Sequence, residues 1–476
     1  MSSLPVAVVL PELLAALHHA PQVLLNAPTG AGKSTWLPLQ ILKEGTVRGK
    51  IILLEPRRLA ARNVAQRLAE LLGEKPGETV GYRMRAETCV GPSTRLEVVT
   101  EGILTRMLQN DPELNGVGLV ILDEFHERSL QADLALALLL DVQQGLRDDL
   151  RLLIMSATLD NERLQQTLPD APVIASEGRA FPVERRYQPL PAHQRFDDAV
   201  AIATAELLRQ ESGSLLLFLP GVGEIQRVQE QLASRVGSDV LLCPLYGALS
   251  LADQRKAILP APAGQRKVVL ATNIAETSLT IEGIRLVVDS AQERVASFDA
   301  RTGLTKLLTQ RISQASMVQR AGRAGRLEPG ICLHLTSAEQ AERAAQQSTP
   351  EILHSDLAGL VMDLLQWGCP DAAQLTWLNP PPAVNLAAAR ALLNRLGALD
   401  GERLSSRGQK MAALGNDPRL AAMLVAAQGE DEIATAAKLA AILEEPPRGG
   451  SSDLAQAFSR NQGNWQQRAQ QLCRRL

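Results

Sequence analysis

Short apolar runs alternate with longer segments of helical periodicity over the first 178 residues. Runs of this length, separated by helices, are typical of strands in a parallel sheet that is covered on both faces. The predicted strands are Val23–Leu25, Ile51–Leu54, Val117–Leu122 and Arg151–Met155, with helices from about Lys33 and over Arg58–Leu72. The alternation therefore predicts a doubly wound α/β domain over residues 1–178.

The same alternation repeats over residues 179–340 and predicts a second α/β domain. Its predicted strands are Leu215–Leu219, Val240–Leu242, Val268–Ala271 and Leu286–Asp289. Near residues 294–311, two short runs on either side of Gly303 predict a β-hairpin. Its predicted arms are Val295–Ser297 and Leu304–Leu308.

From Pro350 onward the sequence is rich in Ala and Leu and has helical periodicity. Loops are predicted at Pro380–Pro382 and Glu445–Gly450. We therefore predict a small helical or winged-helix module over residues 341–400 and a helical bundle over residues 401–476. The sequence stops at Leu476 without a clear terminal feature, which leaves open whether the native chain continues.

Composition limits the classes of function that the chain can have. The formal net charge of -3 gives no global basic character, and aromatic residues make up only 3%. A binder that stacks bases on exposed rings is therefore disfavoured, and any nucleic-acid binding should use the sugar-phosphate backbone. The five cysteines form no CxxC pair, which disfavours zinc or disulfides and predicts a cytoplasmic location. No signal peptide or membrane-spanning run is predicted, so no membrane partner is expected.

The strongest chemical signal is a Gly-rich segment between the first predicted strand and a helix, the context of a phosphate-binding loop. Its glycines let backbone amides turn toward phosphates, and the helix N-terminus adds partial positive charge. Lys33 would reach the β- and γ-phosphates of ATP, and Ser34 would hold Mg²⁺. The alternative is a strand-to-helix turn that binds no nucleotide, since Ala27 stands where the usual pattern has Gly. The predicted nucleotide-binding residues are Thr29, Gly30, Ala31, Gly32, Lys33, Ser34 and Thr35.

Two carboxylates follow the strand Val117–Leu122 directly. Asp123 would coordinate Mg²⁺, and Glu124 would act as general base on the attacking water. Without the phosphate loop upstream, the pair would be a solvated strand end. His126 and the segment Ser156–Thr158 are weak signals in isolation, because His, Ser and Thr are often structural at strand ends.

A basic segment in the second half completes the predicted site. Arg323 and Arg326 are three residues apart and would share one face of a helix. Their guanidinium groups could stabilise charge on the transferring phosphoryl group, and Gln319 could orient the water. The alternative is a solvated basic helix.

Together these segments resemble the DEAH/RHA family of superfamily 2 helicases, and within it the bacterial ATP-dependent members. The resemblance runs from about residue 15 to at least 425, with the motifs in family order. The matching segments are Ala27–Thr35 (motif I), Glu55–Ala61 (Ia), Thr100–Leu104 (Ib), Asp123–His126 (II), Ser156–Thr158 (III), Ala271–Ile281 (V) and Gln319–Arg326 (VI). Phe125 departs from the usual Ala of motif II, while both carboxylates and His126 are kept.

The resemblance implies two RecA-like domains, followed by the family's winged-helix module and ratchet-like bundle. It implies that His126, Ser156 and Thr158 couple the two activities, and that the hairpin helps to separate strands. Gln292 stands where an aromatic residue often stacks on the base, so other NTPs could serve as well as ATP. The implied contacts to the nucleic-acid backbone are Arg57, Arg58, Thr100, Thr272 and Asn273. Further basic residues that could line a strand exit path are Arg390, Arg395, Arg403, Arg407 and Lys410.

The predicted function is an NTP-dependent helicase or translocase that uses ATP and Mg²⁺ and acts on single-stranded or partly duplex nucleic acid, with RNA favoured over DNA. Three alternatives are open: a DNA-stimulated translocase of the same fold, a P-loop NTPase that ignores nucleic acid, and a catalytically silent RNA-binding scaffold. A protein partner is also open. The motifs alone do not separate RNA from DNA, since contacts to a 2′-hydroxyl cannot be read from them.

Overall fold

The computed structural model describes residues 4–28, 32–157, 162–178, 180–247, 249–277, 279–415, 417–446, 453–460 and 463–476. Its strands are β1 (Gln22–Asn26), β2 (Lys50–Leu54), β3 (Val80–Met84), β4 (Glu87–Cys89), β5 (Leu96–Val99), β6 (Val117–Leu122), β7 (Arg151–Ser156), β8 (Val173–Ala175), β9 (Val183–Tyr187), β10 (Ser214–Phe218), β11 (Val240–Leu245), β12 (Arg266–Ala271), β13 (Ile284–Asp289), β14 (Gln292–Asp299), β15 (Leu304–Arg311), β16 (Gly330–His334), β17 (Leu399–Asp400) and β18 (Arg403–Leu404).

The α-helices follow the same chain order. They are α1 (Pro5–His19), α2 (Leu37–Glu44), α3 (Arg58–Leu71), α4 (Ile103–Asn110), α5 (Leu130–Gly145), α6 (Glu162–Thr167), α7 (Phe196–Gln210), α8 (Val222–Ala233), α9 (Leu251–Ile258), α10 (Gln314–Gly322), α11 (Ala338–Arg343), α12 (Ala358–Trp367), α13 (Ala383–Arg395), α14 (Ser406–Leu414), α15 (Pro418–Ala426), α16 (Gly429–Glu444), α17 (Leu454–Ser459) and α18 (Gly463–Arg475).

The first sheet has the strand order β4-β3-β5-β2-β6-β7-β1-β8, and its pairings are parallel except for β3 with β4. Both faces are covered, because successive residues of β1 enter different apolar cores. Leu24 packs with residues of α5, whereas Val23 and Leu25 pack with residues of α1 and α3. The predicted first α/β domain is confirmed, although β3, β4, β5 and β8 were not predicted individually.

The second sheet is parallel throughout, in the order β11-β12-β10-β13-β16-β9. One face packs against α7 and α8, and the other packs against the segment after β12 and against α10. The edge strand β9 was not predicted, because its sequence Val-Glu-Arg-Arg-Tyr has little apolar content and is largely exposed. The predicted hairpin is present as the antiparallel pair β14–β15, and all of β15 is exposed.

One prediction about the phosphate loop was wrong in its detail. The helix expected from about Lys33 begins at Leu37, because the preceding residues form turns in which the Leu37 amide donates to the Gly32 carbonyl (3.1 Å). Pro38 is tolerated in the first turn of α2, where a backbone N–H has no intrahelical acceptor.

The C-terminal helices pack on the first domain through a shared apolar core. This core joins Leu104 and Leu108 of α4 and much of α5 with Leu360 of α12, Leu393 of α13 and other residues as far as α18. The short hairpin β17–β18 lies between α13 and α14, at the predicted boundary between the last two modules. The predicted bounds of all four domains stay predictions. Within the described residues, no helix is long and apolar enough to cross a membrane.

Candidate active site

Lys33 follows β1, and its side chain reaches the carboxylates at the end of β6. Its Nζ donates to Glu124 Oε1 (2.8 Å) and to Asp123 Oδ1 (3.2 Å), with only 3% of the residue exposed. Burial alone would lower the pKa of Lys33, but the charges of Asp123 and Glu124 outweigh it and raise that pKa. The two carboxylates therefore keep the Lys33 ammonium charged, and a positive charge at this position suits a bound phosphate.

The structure describes only some of the other residues predicted for the phosphate loop. Thr29, Gly30 and Ala31 lie outside the described residues. Gly32 adopts a φ of +92°, in a region that side-chain-bearing residues rarely adopt, and a Cβ there would crowd Leu4. Ser34 and Thr35 follow Lys33 in the turn and are half-buried. The roles of these residues in nucleotide and Mg²⁺ binding stay predictions.

The turn after β6 directs Glu124 toward Lys33. Glu124 adopts a left-handed backbone conformation (φ 53°), which is uncommon outside Gly, and its amide donates to Asp123 Oδ1 (2.8 Å). Burial alone would raise the pKa of Glu124, but the charge of Lys33, the hydrogen bond from Lys33 and the neighbouring His126 together outweigh burial and lower that pKa to about 2. The strained turn therefore holds an ionised carboxylate in a dry site, as expected of a functional position.

Glu55 is a third carboxylate at this site, and its chemical importance is not apparent from the sequence. It follows β2, is 1% exposed, and has a pKa raised well above its usual range by burial and by Asp123. Glu55 Oε1 and Asp123 Oδ2 are buried and have no hydrogen-bond partner among the described residues. Such oxygens are costly to bury alone and suit a hard divalent cation, so the site fits Mg²⁺ at Asp123.

His126 links motif II to motif III. Its Nδ1 accepts a hydrogen bond from the Ala157 amide (3.2 Å), which leaves the ring proton on Nε2, 3.3 Å from Glu124 Oε2. Burial lowers the pKa of His126, so its ring is neutral at pH 7. Ser156 is buried at the end of β7, and Thr158 lies outside the described residues. The coupling role of these residues stays a prediction.

Arg323 and Arg326 reach the site from the second domain. Arg323 is buried and Arg326 is half-buried, and the two Nη atoms of Arg323 and Nη2 of Arg326 have no acceptor among the described residues. Burial and the charge of Arg326 lower the pKa of Arg323, while burial lowers that of Arg326 to about 10. The charge of Glu124 opposes both shifts, which places the two guanidinium groups near the carboxylate.

Arg320 of the same motif has a different, structural role. It is fully buried and donates to Glu276 Oε1 (2.9 Å) and Asp289 Oδ1 (2.8 Å), and its guanidinium lies 4.9 Å from the Phe218 ring centre. Asp289 Oδ2 also lies 2.7 Å from His334 Nδ1. The network anchors α10, and with it the turn that carries Arg323. Gln319, the predicted water-orienting residue, lies half-buried on α10.

Asp289→Ala should lower the free energy of unfolding by about 3–5 kcal/mol, because it removes one partner of a buried ion pair and leaves the Arg320 charge uncompensated. Urea unfolding measures the change. Glu206→Ala is the control, since Glu206 is exposed on α7, where its contacts are with Arg209 and Gln210 of the same helix, and it should matter little. Equal stability of the two variants would contradict a structural role for this network.

Three of the five predicted nucleic-acid contacts, Arg57, Arg58 and Asn273, interact across a junction between parts of the chain. Arg57 Nη1 of the first domain donates to Asn273 Oδ1 of the second (3.3 Å). Arg58 Nη1 lies 3.5 Å from Glu445 Oε1, after α16. Thr100 is buried after β5, and Thr272 follows β12. The structure thus brings Arg57 and Asn273 together, while contact with nucleic acid stays a prediction for all five residues.

Two of the arginines that could line a strand exit path have a contact with the protein backbone. Arg390 donates to the Pro370 carbonyl, and Arg407 Nη2 lies 3.5 Å from the Ala422 carbonyl.

Gln292 lines an open cavity of about 460 Å³, and the aromatic residue in the lining of this cavity is Phe196. The effect of Gln292 on NTP selectivity stays a prediction.

Comparisons with known proteins place this geometry in a family. The DEAD/DEAH box helicase model matches residues 9–167, and the helicase conserved C-terminal domain model matches residues 198–328. The chain is 83% identical over 476 residues to the ATP-dependent RNA helicase HrpB of Escherichia coli (strain K12), covering 100% of this chain and 59% of that protein. It is 37% identical over 428 residues to the probable ATP-dependent RNA helicase DHR2 of Saccharomyces cerevisiae (strain ATCC 204508 / S288c), covering 87% and 58%.

A solved structure gives the same result. The crystal structure of the Escherichia coli DEAH/RHA helicase HrpB matches with a TM-score of 0.96 and 83% identity, over 99% of this chain and 60% of that one. The chain belongs to the DEAD/DEAH box helicases, and the predicted resemblance and the two RecA-like domains are confirmed. It is similar to HrpB-type helicases in particular and spans about 59% of the length of that curated relative.

Proposed function

We propose that this chain is an NTP-dependent motor that couples ATP hydrolysis to movement along, or remodelling of, single-stranded RNA. The observation that carries the proposal is the split site. Lys33 and Glu124 come from one domain, while Arg323 comes from the other, with both Nη groups buried and without an acceptor in the described part of the chain. Buried cationic donors that lack an acceptor suit the charge of a transferring phosphoryl group.

Nucleotide binding would redistribute the charges at this site. The phosphates of ATP would compete with Glu124 for Lys33, and the loss of that contact would raise the low pKa of Glu124. Glu124 would then be a better general base for the attacking water. Bound Mg²⁺, held at Ser34 and Asp123, would neutralise charge on the phosphates. Arg323 and Arg326 would complete the site only when the two domains are closed.

Support for a nucleic-acid substrate comes from Arg57 and Asn273, which meet across the domain junction. Both groups suit phosphate or sugar oxygens, and neither reads base sequence by itself. RNA is favoured because the relatives named above are RNA helicases. A cytoplasmic location belongs to the same proposal and is supported by five free cysteines.

The test is the ATPase rate alone, with single-stranded RNA, and with single-stranded DNA of matched length, using Lys33→Ala as the blank. We expect stimulation by RNA. Equal stimulation by DNA would indicate a translocase that reads the backbone with loose sugar selectivity. Basal turnover that responds to neither polymer would contradict the motor and favour an NTPase of another kind.

A further inference from the structure

Glu127 follows the predicted catalytic segment and lies between the nucleotide site and the nucleic-acid contacts. It ends a short 3-10 turn, and the next residue, Arg128, adopts a left-handed conformation (φ 48°). The Glu127 side chain is 21% exposed, so it is neither part of a core nor a freely solvated surface group. The motif II segment Asp123–His126 ends one residue before it.

Two groups of different origin converge on the Glu127 carboxylate. Oε1 accepts a hydrogen bond from the Thr277 hydroxyl (3.2 Å), which belongs to motif V in the second domain. Oε2 lies 3.6 Å from Arg57 Nη2 in the first domain. Glu127 is therefore an ionic and hydrogen-bonded bridge between the domains.

Both ends of this bridge continue to a functional group. On one side, Arg57 donates through Nη1 to Asn273, so the pair predicted to grip the nucleic-acid backbone is held by Glu127. On the other side, Thr277 directly follows Glu276, whose backbone carbonyl accepts a hydrogen bond from Arg323 Nε (2.7 Å). The path from the nucleic-acid groove to the nucleotide site thus runs Asn273, Arg57, Glu127, Thr277, Glu276, Arg323.

We propose that Glu127 is the positioning residue that couples nucleic-acid binding to ATP hydrolysis. The inference rests on the proposed motor function. A phosphate of the nucleic acid at Arg57 competes with the Glu127 carboxylate for the same guanidinium. Glu127 then interacts more strongly with Thr277, which shifts motif V and, with it, the Glu276 carbonyl that Arg323 contacts. Because coupling between two binding sites is reciprocal, nucleotide binding must change nucleic-acid affinity by the same factor by which nucleic acid changes nucleotide affinity.

Glu127→Gln tests this with two readouts that move in opposite senses. The ratio of RNA-stimulated to basal ATPase rate should fall at least about fivefold, the lower end of ordinary coupling between sites. The affinity of the nucleotide-free protein for labelled oligouridylate should instead rise about two- to fivefold, because Arg57 loses a partly exposed ion-pair partner that competes with phosphate. Thr277→Val should lower the ratio without the rise in affinity.

Glu184→Gln is the matched control, since it makes the same change of charge at an exposed residue that pairs with Arg186, and both readouts should stay as in the unchanged chain. An unchanged ratio in Glu127→Gln, with the unchanged chain still stimulated by RNA, would overturn this inference alone. A fall in both ratio and affinity would also overturn it, because Glu127 would then merely maintain the fold. An unchanged chain that neither binds nor responds to oligouridylate would overturn the motor function, and this inference with it.

Discussion

Glu124→Gln should lower the rate of ATP hydrolysis by about 10³-fold while ATP still binds, because the amide keeps the shape of the carboxylate but cannot accept the proton of the attacking water. The side chain is 3% exposed and contacts Lys33 at 2.8 Å, so it acts in a site from which water is largely excluded. Single-turnover hydrolysis and the binding of a fluorescent ATP analogue measure the two effects separately.

Glu206→Gln on the exposed face of α7 controls for the change of charge and should hydrolyse ATP normally. A Glu124→Gln variant that hydrolyses ATP within a few-fold of the unchanged chain would remove Glu124 from the role of general base. Loss of nucleotide binding would instead show that its main task is to hold Lys33.

Arg323→Met should lower turnover by about 10³-fold or more, the usual contribution of an arginine finger, with nucleotide affinity largely kept. The same change should raise the melting temperature of the nucleotide-free protein. Both Nη groups of Arg323 are buried and have no acceptor among the residues that the structure describes, and burial lowers the pKa of the guanidinium. The charge is therefore a cost to the nucleotide-free fold. Turnover and thermal unfolding of the same preparation measure both effects.

Arg320→Met is the matched control, three residues away and equally buried. It should lower the melting temperature, because Asp289 and Glu276 would lose their buried partner. If Arg323→Met were the more destabilised of the two variants, Arg323 would be part of the fold, and its assignment to phosphoryl transfer would fail.

This contrast shows where prediction from sequence stops. The motif around residues 319–326 indicated that arginines complete a nucleotide site, but it could not show which of them faces the phosphates. Arg320 and Arg323 have the same chemistry. Asp289 and Glu276 pair with the Arg320 guanidinium, whereas Arg323 has one hydrogen bond, from Nε to the Glu276 carbonyl, and both of its Nη atoms lack an acceptor among the described residues. Those carboxylates lie on other elements of the chain.

Strands were predicted well where apolar runs mark them, as in β6, which is buried at every position. The edge strand β9 was missed because an edge needs fewer apolar residues, and its parallel pairing with β16 is a long-range choice. Glu55 and Glu127 were missed for a related reason. A carboxylate after a strand or a motif is ordinary in sequence, and its meaning depends on neighbours such as Asp123 or Thr277.

The apolar core shared by α4, α5 and the C-terminal helices has a mechanical consequence. Sliding these parts past each other would expose apolar side chains to water, at about 25 cal/mol for each Å². The first sheet and the C-terminal helices therefore move together as one body. The second sheet can move against that body, because among the described residues its two cores contain a single residue of the first domain, Leu59 of α3. In the proposed motor, the length of a step along a bound strand would then be set by the opening of the cleft that Arg57 and Asn273 span.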